Sequence, residues 1–264
     1  MGVPTPQERK ETLNALALKH CLSSQLYTAS DFKLLTVKKS DLSCHGKNLS
    51  IYIEGDGLGW ITDTQISQDP TPVNPLAFKL FLLDANACSI YAARPCQYVR
   101  GANCTSAYWT NKRFSEEVIQ SYDTLLDRLK SETGSFGFTI IGYSGGGAVA
   151  ALLAARRSDV KELITVAGNL DTDEWVKYHH ISPLEGSLNP ADYSKKLSKV
   201  PQMHFIADAD TIVPKAIFDS YKKRFEQDGM IKYKVYKGVK HDSGWEERWK
   251  IFLKETDHYE RTKQ

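Results

Sequence analysis

One run of the sequence, from Phe138 to Arg156, constrains the fold of this chain more than any other feature. It reads as a short β-branched strand, a turn with the pattern Gly-x-Ser-x-Gly, and an alanine-rich helix. In such a turn Gly142 and Gly146 flank Ser144, because the strand and helix backbones come too close there for a Cβ atom. The helix directs its first N–H groups at any negative charge beside the serine. The run therefore predicts a nucleophile elbow at the edge of a sheet.

Length, charge and hydropathy exclude several classes of protein. The 264 residues are enough for one large domain with a substantial core. A net charge of +2 without a basic stripe argues against a nucleic-acid partner. No apolar run approaches the ~18 residues that a membrane-spanning helix needs. We therefore expect a single globular domain over residues 1–264, with no transmembrane segment.

The five cysteines bear on the cellular compartment. Cys96 and Cys104 lie eight positions apart in a loop-like segment. Cys21 and Cys44 flank the first predicted strand, and Cys88 has the surroundings of a buried thiol. Disulfides Cys96–Cys104 and Cys21–Cys44 would suit an oxidising compartment, and five free thiols would suit the cytosol. The N-terminus has no apolar signal core, so the chain is cytosolic or an export signal has been removed.

Strand and helix patterns alternate along the chain. Besides the elbow, strands are predicted at 32–38, 49–54, 89–93, 162–167, 200–207 and 231–236, and helices at 7–20, 75–82, 114–131, 214–227 and 246–255. This alternation predicts an α/β fold, with a mostly parallel central sheet and helices on both faces. The mainly polar segment 169–197 has room for one or two short helices and is predicted to be a short cap-like insertion.

A serine is a weak nucleophile unless a base and an orienting acid accompany it. Asp210 closely follows a predicted strand, and His241 lies between the last strand and the last helix. The order Ser144, Asp210, His241 is the one expected of an elbow-type hydrolase. Asp208 competes with Asp210 for the role of the acid, and Asp171 is a less favoured alternative. We therefore expect a catalytic triad of Ser144, His241 and Asp210.

The alkoxide formed in such a reaction needs two backbone N–H donors. One is predicted at Gly145, directly after the nucleophile, and the other in the glycine-rich turn 53–60. A dinucleotide site in this turn is excluded because Trp60 stands where the third glycine is required. Neither glycine cluster ends in the Gly-Lys-Ser/Thr of a phosphate-binding loop. His179 and His180 have no metal-ligand spacing, so no metal and no cofactor are expected.

Several motifs together resemble the α/β-hydrolase superfamily, over residues 49–253. They are Tyr52-Ile-Glu-Gly-Asp-Gly57, Asp69-Pro-Thr-Pro72, Ala93-Arg-Pro-Cys-Gln-Tyr98, Gly142-Tyr-Ser-Gly-Gly-Gly147 and Ala167-Gly-Asn-Leu-Asp171. More closely, they look like a group of bacterial α/β-hydrolases that often carry an export or lipoprotein signal and whose substrates are poorly defined. The resemblance implies a serine hydrolase on a sheet of the eight-stranded type. It also favours the periplasm or cell surface, with the cytoplasm as the alternative.

The resemblance extends to the oxyanion turn, with one departure. Many relatives have His-Gly in this turn, whereas this chain has Glu54-Gly55. Because backbone donors survive that exchange, the resemblance assigns the second N–H to Asp56, with Gly57 as the alternative. We hypothesise that the Glu54 carboxylate lies beside the oxyanion hole and repels anionic substrates.

The expected substrate is a small molecule, a carboxylic ester or a thioester. A peptidase or amidase on the same fold and a non-catalytic binding module are the alternatives. Candidates to line the substrate pocket are Tyr143, Trp60, Trp109 and Trp175. For each tryptophan a packing role at the base of a loop is equally open. Arg94 and Arg113 either bind a substrate carboxylate or phosphate or lie exposed on the surface.

Overall fold

The computed structural model describes residues 2–226 and 229–261. The strands are β1 (Ser23–Ala29), β2 (Phe32–Lys38), β3 (Asn48–Ile53), β4 (Trp60–Thr62), β5 (Gln65–Ile66), β6 (Ser89–Ala92), β7 (Gly137–Tyr143), β8 (Val160–Val166), β9 (Gln202–Ala207) and β10 (Ile231–Tyr236). The helices are α1 (Pro6–Lys19), α2 (Leu76–Leu83), α3 (Glu116–Thr133), α4 (Gly145–Arg156), α5 (Thr172–Tyr178), α6 (Ser194–Leu197), α7 (Lys215–Lys223) and α8 (Trp245–Arg261). The predicted α/β fold is confirmed.

The order of the strands in the sheet places the site. The main sheet has eight strands in the order β1-β2-β6-β3-β7-β8-β9-β10, and β2 alone runs against its neighbours. From β3 the chain continues to β6 on one side and later to β7 on the other. In an open α/β sheet this reversal opens a crevice at the carboxyl ends of the two strands that flank it. The residues that follow β3 and β7 therefore meet at one edge of the sheet.

Helices cover both faces of the sheet. On β3, Leu49, Ile51 and Ile53 point into a core that is shared with α3, α4 and α7. Tyr52 points to the opposite core, which is shared with α1, α2 and α8. Strands buried on both faces are typical of parallel sheets. Within the described residues, no helix combines the length and apolar character needed to span a bilayer.

Two disulfides close loops in the structure, Cys44–Cys88 and the predicted pair Cys96–Cys104. The predicted pair Cys21–Cys44 is wrong, because Cys21 is an exposed free thiol just beyond α1. Cys44 precedes β3 and Cys88 precedes β6, and these strands are parallel neighbours. Their starting ends lie at the same edge of the sheet, which brings the two sulfur atoms together. Cys88 is buried as expected, but it is bonded rather than free.

The segment 169–197 contains α5, a 3-10 turn and α6. Its second half packs against α4, where Ala191 and Leu197 are buried in the core. Its first half borders the loop after β9, since the indole N–H of Trp175 donates to the carbonyl of Ile212 at 2.7 Å. The first half of the segment, from Asn169 through α5 to His179, therefore lies at the carboxyl edge of the sheet, where the N–H of Asn169 donates to the carbonyl of Ser144 at 3.0 Å.

Candidate active site

Ser144 lies in a sharp turn between β7 and α4, with φ 53° and ψ −122°. Positive φ at a serine is a strained conformation, and this strain is characteristic of a nucleophile elbow. A Cβ atom at Gly142 would lie 2.2 Å from the carbonyl oxygen of Gly146. One at Gly146 would lie 2.4 Å from the carbonyl oxygen of Ile53. The close approach of strand and helix therefore requires both glycines.

Three side chains from separate loops meet at this turn. The Nε2 atom of His241 lies 3.0 Å from Oγ of Ser144, and Nδ1 lies 2.8 Å from Oδ2 of Asp210. Oδ1 of Asp210 accepts hydrogen bonds from the N–H groups of Ile212 and Val213, both at 2.8 Å. Asp210 is 5% exposed and Ser144 is 8% exposed, so water has little access to the relay. An imidazole placed between a hydroxyl and a carboxylate can take the serine proton.

The competing acids lie away from His241. The exposed Asp208 accepts a hydrogen bond from the N–H of Gly238 at 2.7 Å. Asp171 is fully buried and bonds to Ser220 and Asn189, at 2.7 and 3.1 Å. Asp171 also accepts from an N–H in the first turn of α5, which makes it the N-cap of that helix. Of the three aspartates considered, Asp210 is the one that the structure brings to the histidine.

The turn after β3 lies against the elbow. A Cβ atom on Gly55 would be 3.3 Å from the nucleophile's own Cβ, and one on Gly145 would be 2.0 Å from Oδ1 of Asp56. Within the described residues, the N–H groups of Gly145, Asp56 and Gly57 donate no hydrogen bond. Gly57 packs against the carbonyl of Pro70, which would be 1.9 Å from a Cβ there. The side chain of Asp56 thus packs on Gly145, whereas Gly57 packs on the opposite side of the turn against Pro70. Asp56 stays the predicted second donor, with Gly57 as the alternative.

Glu54, the first residue of the oxyanion turn, is directed into the core. It is 1% exposed, and its carboxylate accepts hydrogen bonds at 3.0 to 3.3 Å from four donors, the N–H groups of Gly55, Ala77 and Phe78 and the hydroxyl of Tyr91. It thereby caps α2, whose own N-cap residue makes no side-chain hydrogen bond. Burial raises the pKa of Glu54 to about 7, although the four hydrogen bonds oppose the rise. This orientation removes the basis for the hypothesis that Glu54 repels anionic substrates.

Arg94 and Arg113 are neither exposed nor open to a substrate anion, in contrast to both sequence-based interpretations. They are 4% and 8% exposed, and each pairs with one carboxylate oxygen of Asp56. Gln97 donates from Nε2 to the carbonyl of Gly55 at 2.9 Å, so it also supports the turn. Sequence reasoning missed Gln97 and the pairing of the arginines. One feature of the sequence could have indicated a role for Arg94 in the site: it lies just after β6, in the same way that Asp210 lies just after β9.

Two of the predicted pocket aromatics have structural contacts. Trp109 is 3% exposed and donates from Nε1 to the carbonyl of Ser67 at 3.0 Å, as a packing residue does. Tyr143 is 8% exposed, and its hydroxyl donates to the carbonyl of His241 at 3.1 Å. Tyr143 therefore supports the loop of the base in addition to lying beside the nucleophile.

The other two tryptophans lie nearer the surface. Trp60 is 42% exposed on β4, in the short hairpin that continues from the oxyanion turn. Trp175 on α5 lies 5.5 Å from the guanidinium of Arg113. His179 also contacts this region, with Nε2 2.8 Å from the carbonyl of Ile212. Trp60 and Trp175 thus remain candidates for substrate contact.

Comparison with known proteins places the chain in a family. A family model for serine hydrolases of the FSH1 type matches residues 85–236, which is more than half of the chain. The chain belongs to the FSH1 serine hydrolase family. The range that matches this family includes Ser144 and Asp210 but ends before His241. The prediction of a serine hydrolase enzyme is therefore confirmed.

Solved structures share the fold of this FSH1-family hydrolase. The esterase Pf2001 from Pyrococcus furiosus is 15% identical, with a TM-score of 0.63 over 97% of this chain and 95% of that one. Est1E from Butyrivibrio proteoclasticus is 15% identical, with a TM-score of 0.62 over 90% of this chain and 99% of that one. An acylaminoacyl peptidase from Pyrococcus horikoshii is 12% identical, with a TM-score of 0.61 over 92% of this chain and 43% of that one. No curated protein sequence matches the FSH1-family chain significantly.

Proposed function

We propose that this serine hydrolase cleaves carboxylic esters or thioesters through an acyl-serine intermediate. The observation that carries the proposal is the continuous relay from Oγ of Ser144 through His241 to Asp210 on a strained elbow. The esterases Pf2001 and Est1E, which share the fold, support an ester as the natural bond.

In the first half of the reaction, His241 takes the proton of Ser144 as Oγ attacks the substrate carbonyl. Asp210 holds the imidazole in the tautomer that presents an unprotonated Nε2 and stabilises the imidazolium that forms. The N–H groups of Gly145 and Asp56 donate to the alkoxide of the tetrahedral intermediate. When the intermediate collapses, His241 gives its proton to the departing alcohol or thiol, and the acyl group stays on the serine.

In the second half, a water molecule replaces the leaving group. His241 removes a proton from this water as its oxygen attacks the acyl-serine carbonyl, and the same two N–H groups stabilise the second alkoxide. Collapse breaks the bond to Oγ of Ser144, which regains its proton from the imidazolium. The products are a carboxylic acid and the free enzyme.

A peptidase or amidase is the second candidate. It is supported by the structural likeness to an acylaminoacyl peptidase, although this chain covers less than half of that protein. The same relay can serve either reaction, because the leaving group alone differs. A set of substrates with one acyl group and three leaving groups separates the candidates: a p-nitrophenyl ester, a thioester and a p-nitroanilide.

The decisive experiment compares the wild type with Ser144→Ala on this set and on several acyl lengths. We expect the variant to lose turnover and labelling by a fluorophosphonate, and the wild type to prefer the ester and thioester. A higher kcat/KM for the anilide would favour the peptidase. Labelling retained by Ser144→Ala would contradict the assignment of the nucleophile. Folded wild-type protein inert to the probe would favour a binding module.

We also propose that the enzyme works in an oxidising compartment, the periplasm or the cell surface. Two disulfides support this, since such bonds are rare in the cytosol. Alkylation of intact cells before lysis, followed by mass measurement of the protein, tests the proposal. Alkylation at Cys21 alone would support it, and modification of all five cysteines would contradict it.

A further inference from the structure

A charge cluster of two buried arginines and one partly buried aspartate holds the oxyanion turn and takes no part in the proton relay. Oδ1 of Asp56 lies 3.0 Å from Nη1 of Arg94, and Oδ2 lies 2.9 Å from Nη1 of Arg113. Both oxygens of the carboxylate are thus engaged. Burial acts to raise the pKa of Asp56, but Arg113 and Arg94 outweigh burial and hold this pKa below its ordinary value. The carboxylate is ionised, and the cluster carries a net positive charge.

Each arginine is fixed by further contacts. Arg94 donates from Nη2 to the carbonyl of Arg113, and its guanidinium lies 5.4 Å from the ring of Phe114. Arg113 donates from Nε to the carbonyl of Thr110, and its guanidinium lies 5.5 Å from the ring of Trp175. Planar guanidinium groups held by both hydrogen bonds and aromatic rings have little freedom to move. The carboxylate between them is therefore held in one place.

The carboxylate of Asp56 packs on the first residue of the nucleophile helix. A Cβ atom on Gly145 would lie 2.0 Å from its Oδ1, so Gly145 has to be glycine for the carboxylate to fit. A negative charge is also favourable at the N-terminus of α4. On the other side, Gln97 holds the carbonyl of Gly55 at 2.9 Å. The Gly55 carbonyl and the Asp56 N–H belong to the same peptide group. This peptide is thus held at its carbonyl by Gln97 and beside its N–H by the side chain of Asp56.

Stability alone is a weak explanation for this cluster. Buried ion pairs contribute little compared with apolar packing of the same volume, because the charges lose their hydration. Nε of Arg94 is also buried without a hydrogen-bond partner among the described residues, which is a further cost to the folded state. An arrangement that costs stability and lies beside a reacting centre is more readily explained by what it positions.

We propose that Arg94 and Arg113 are positioning residues of the reaction, which hold the Asp56 N–H where it donates to the alkoxide. The inference rests on the proposed acyl-serine function. An oxyanion donor is effective only when it is held in place before the charge develops. Loss of one guanidinium leaves the carboxylate with a single partner and allows the turn to shift.

Variants of Arg113 and Asp56 test this role. Arg113→Met keeps the length of the side chain without its charge, and Arg113→Lys keeps a charge but not the fork of donors. Asp56→Asn keeps the backbone N–H and the size of the side chain. We expect kcat to fall roughly 10- to 100-fold in Arg113→Met and Asp56→Asn, with KM changed less than about 3-fold and Arg113→Lys between them and the wild type. Arg128→Met, an exposed ion-paired arginine on α3, is the control expected to leave kcat unchanged.

A transition-state analogue provides a measurement that a purely structural role would not change. A trifluoromethyl ketone adds to the serine and becomes a tetrahedral anion that needs the oxyanion donors. Its inhibition constant should rise in proportion to the loss of kcat/KM across the variants. Binding of the unreactive ether analogue of the ester should change less than about 3-fold, because it has no oxyanion.

The inference is overturned if Arg113→Met melts like the wild type and retains its kcat and its affinity for the ketone. It is also overturned if only KM rises while inhibition by the ketone is unchanged. If Arg113→Met does not fold, Arg113→Lys and Asp56→Asn decide by the same two measurements. Turnover by Ser144→Ala would instead show that the proposed function itself has failed.

Discussion

The hydroxyl of Tyr143 donates a hydrogen bond to the backbone carbonyl of His241 at 3.1 Å, and the two rings lie 5.3 Å apart. The residue before the nucleophile is thereby joined to the loop of the base, which is 98 positions further along the chain. Trp245 donates to the same carbonyl from Nε1, at 2.9 Å. The distance between base and nucleophile therefore depends on two side chains that do no chemistry themselves.

We expect Tyr143→Phe to lower kcat/KM about 2- to 10-fold and the free energy of unfolding by about 1 kcal/mol, the typical contribution of one hydrogen bond. The loss is modest because Trp245 still holds the carbonyl of His241. Steady-state kinetics and urea unfolding measure the two effects. Tyr178→Phe, an exposed tyrosine on α5, is the control. Unchanged kcat/KM in Tyr143→Phe, with a stability loss of the expected size, would show that the bond supports only the fold.

Asp210 and Asp208 provide a matched pair for the assignment of the acid. Asp210→Asn removes the charge that faces His241 and favours the wrong imidazole tautomer, so we expect kcat to fall roughly 10³- to 10⁴-fold. Asp208→Asn affects an exposed carboxylate that bonds to the N–H of Gly238, and we expect a change below about 3-fold. Single-turnover acylation rates measure both variants. Equal losses in the two would contradict the assignment.

Most elements of the fold were readable from the sequence because their hydrophobic patterns are long. The strand β10 has the predicted bounds, β9 begins two residues later than predicted and ends as predicted, and α1 begins and ends one residue earlier than predicted. The edge strand β1 was missed because Tyr27 and Ala29 are its only buried positions. The hairpin of β4 and β5 was missed because all its strand residues are exposed, which leaves no hydrophobic pattern.

The side chains of the oxyanion turn show what sequence reasoning cannot reach. Glu54 and Asp56 are two positions apart and have the same chemistry, yet one caps α2 and the other lies between two arginines. The partners of these two side chains depend on which distant segments of the chain the strand order places at this edge of the sheet. The same limit applies to Cys44, whose partner depends on β6 lying beside β3. The sequence predicts that residues directly after parallel strands lie at the same edge of the sheet. It does not predict which of these residues form pairs.

The pairing of the cysteines predicts the number of free thiols and the contribution of each disulfide to the free energy of unfolding. We expect one thiol per unreduced, denatured chain, that of Cys21. Cys44–Cys88 spans 44 positions and Cys96–Cys104 spans 8, so the chain-entropy estimate is roughly 4 and 2.5 kcal/mol respectively. Paired Cys-to-Ser variants measured by urea unfolding should follow this order. Titration of three or five thiols would contradict the pairing.

The disulfide that contributes less to stability, Cys96–Cys104, should contribute more to activity. Cys96 is the residue before Gln97, whose side chain holds the carbonyl of Gly55 in the oxyanion turn. Cys44–Cys88 lies at the opposite edge of the sheet, where β3 and β6 begin. We therefore expect removal of Cys96–Cys104 to lower kcat more than removal of Cys44–Cys88. Assays under conditions where both variants remain folded measure this order, and the reverse order would contradict it.

Glu54 predicts a pH dependence of stability. Its pKa is about 7 in the folded protein and 4.5 without the fold, so the folded state binds the proton more tightly. Its contribution to stability is therefore complete below about pH 4.5 and is lost as the pH rises to about 7. One pKa unit corresponds to about 1.4 kcal/mol, so the loss amounts to roughly 3 kcal/mol. Glu54→Gln cannot titrate and should not show this decline.

The measurement is the free energy of unfolding of the wild type and Glu54→Gln at several pH values from 5 to 8. The variant starts from a lower stability, because its amide nitrogen cannot accept the hydrogen bonds from Phe78 and Tyr91. The informative quantity is therefore the slope: the difference between the two proteins should shrink as the pH rises. Glu185→Gln, at an exposed position, controls for the loss of a charge. Parallel slopes would show that Glu54 is ionised throughout this range, held so by its four hydrogen-bond donors.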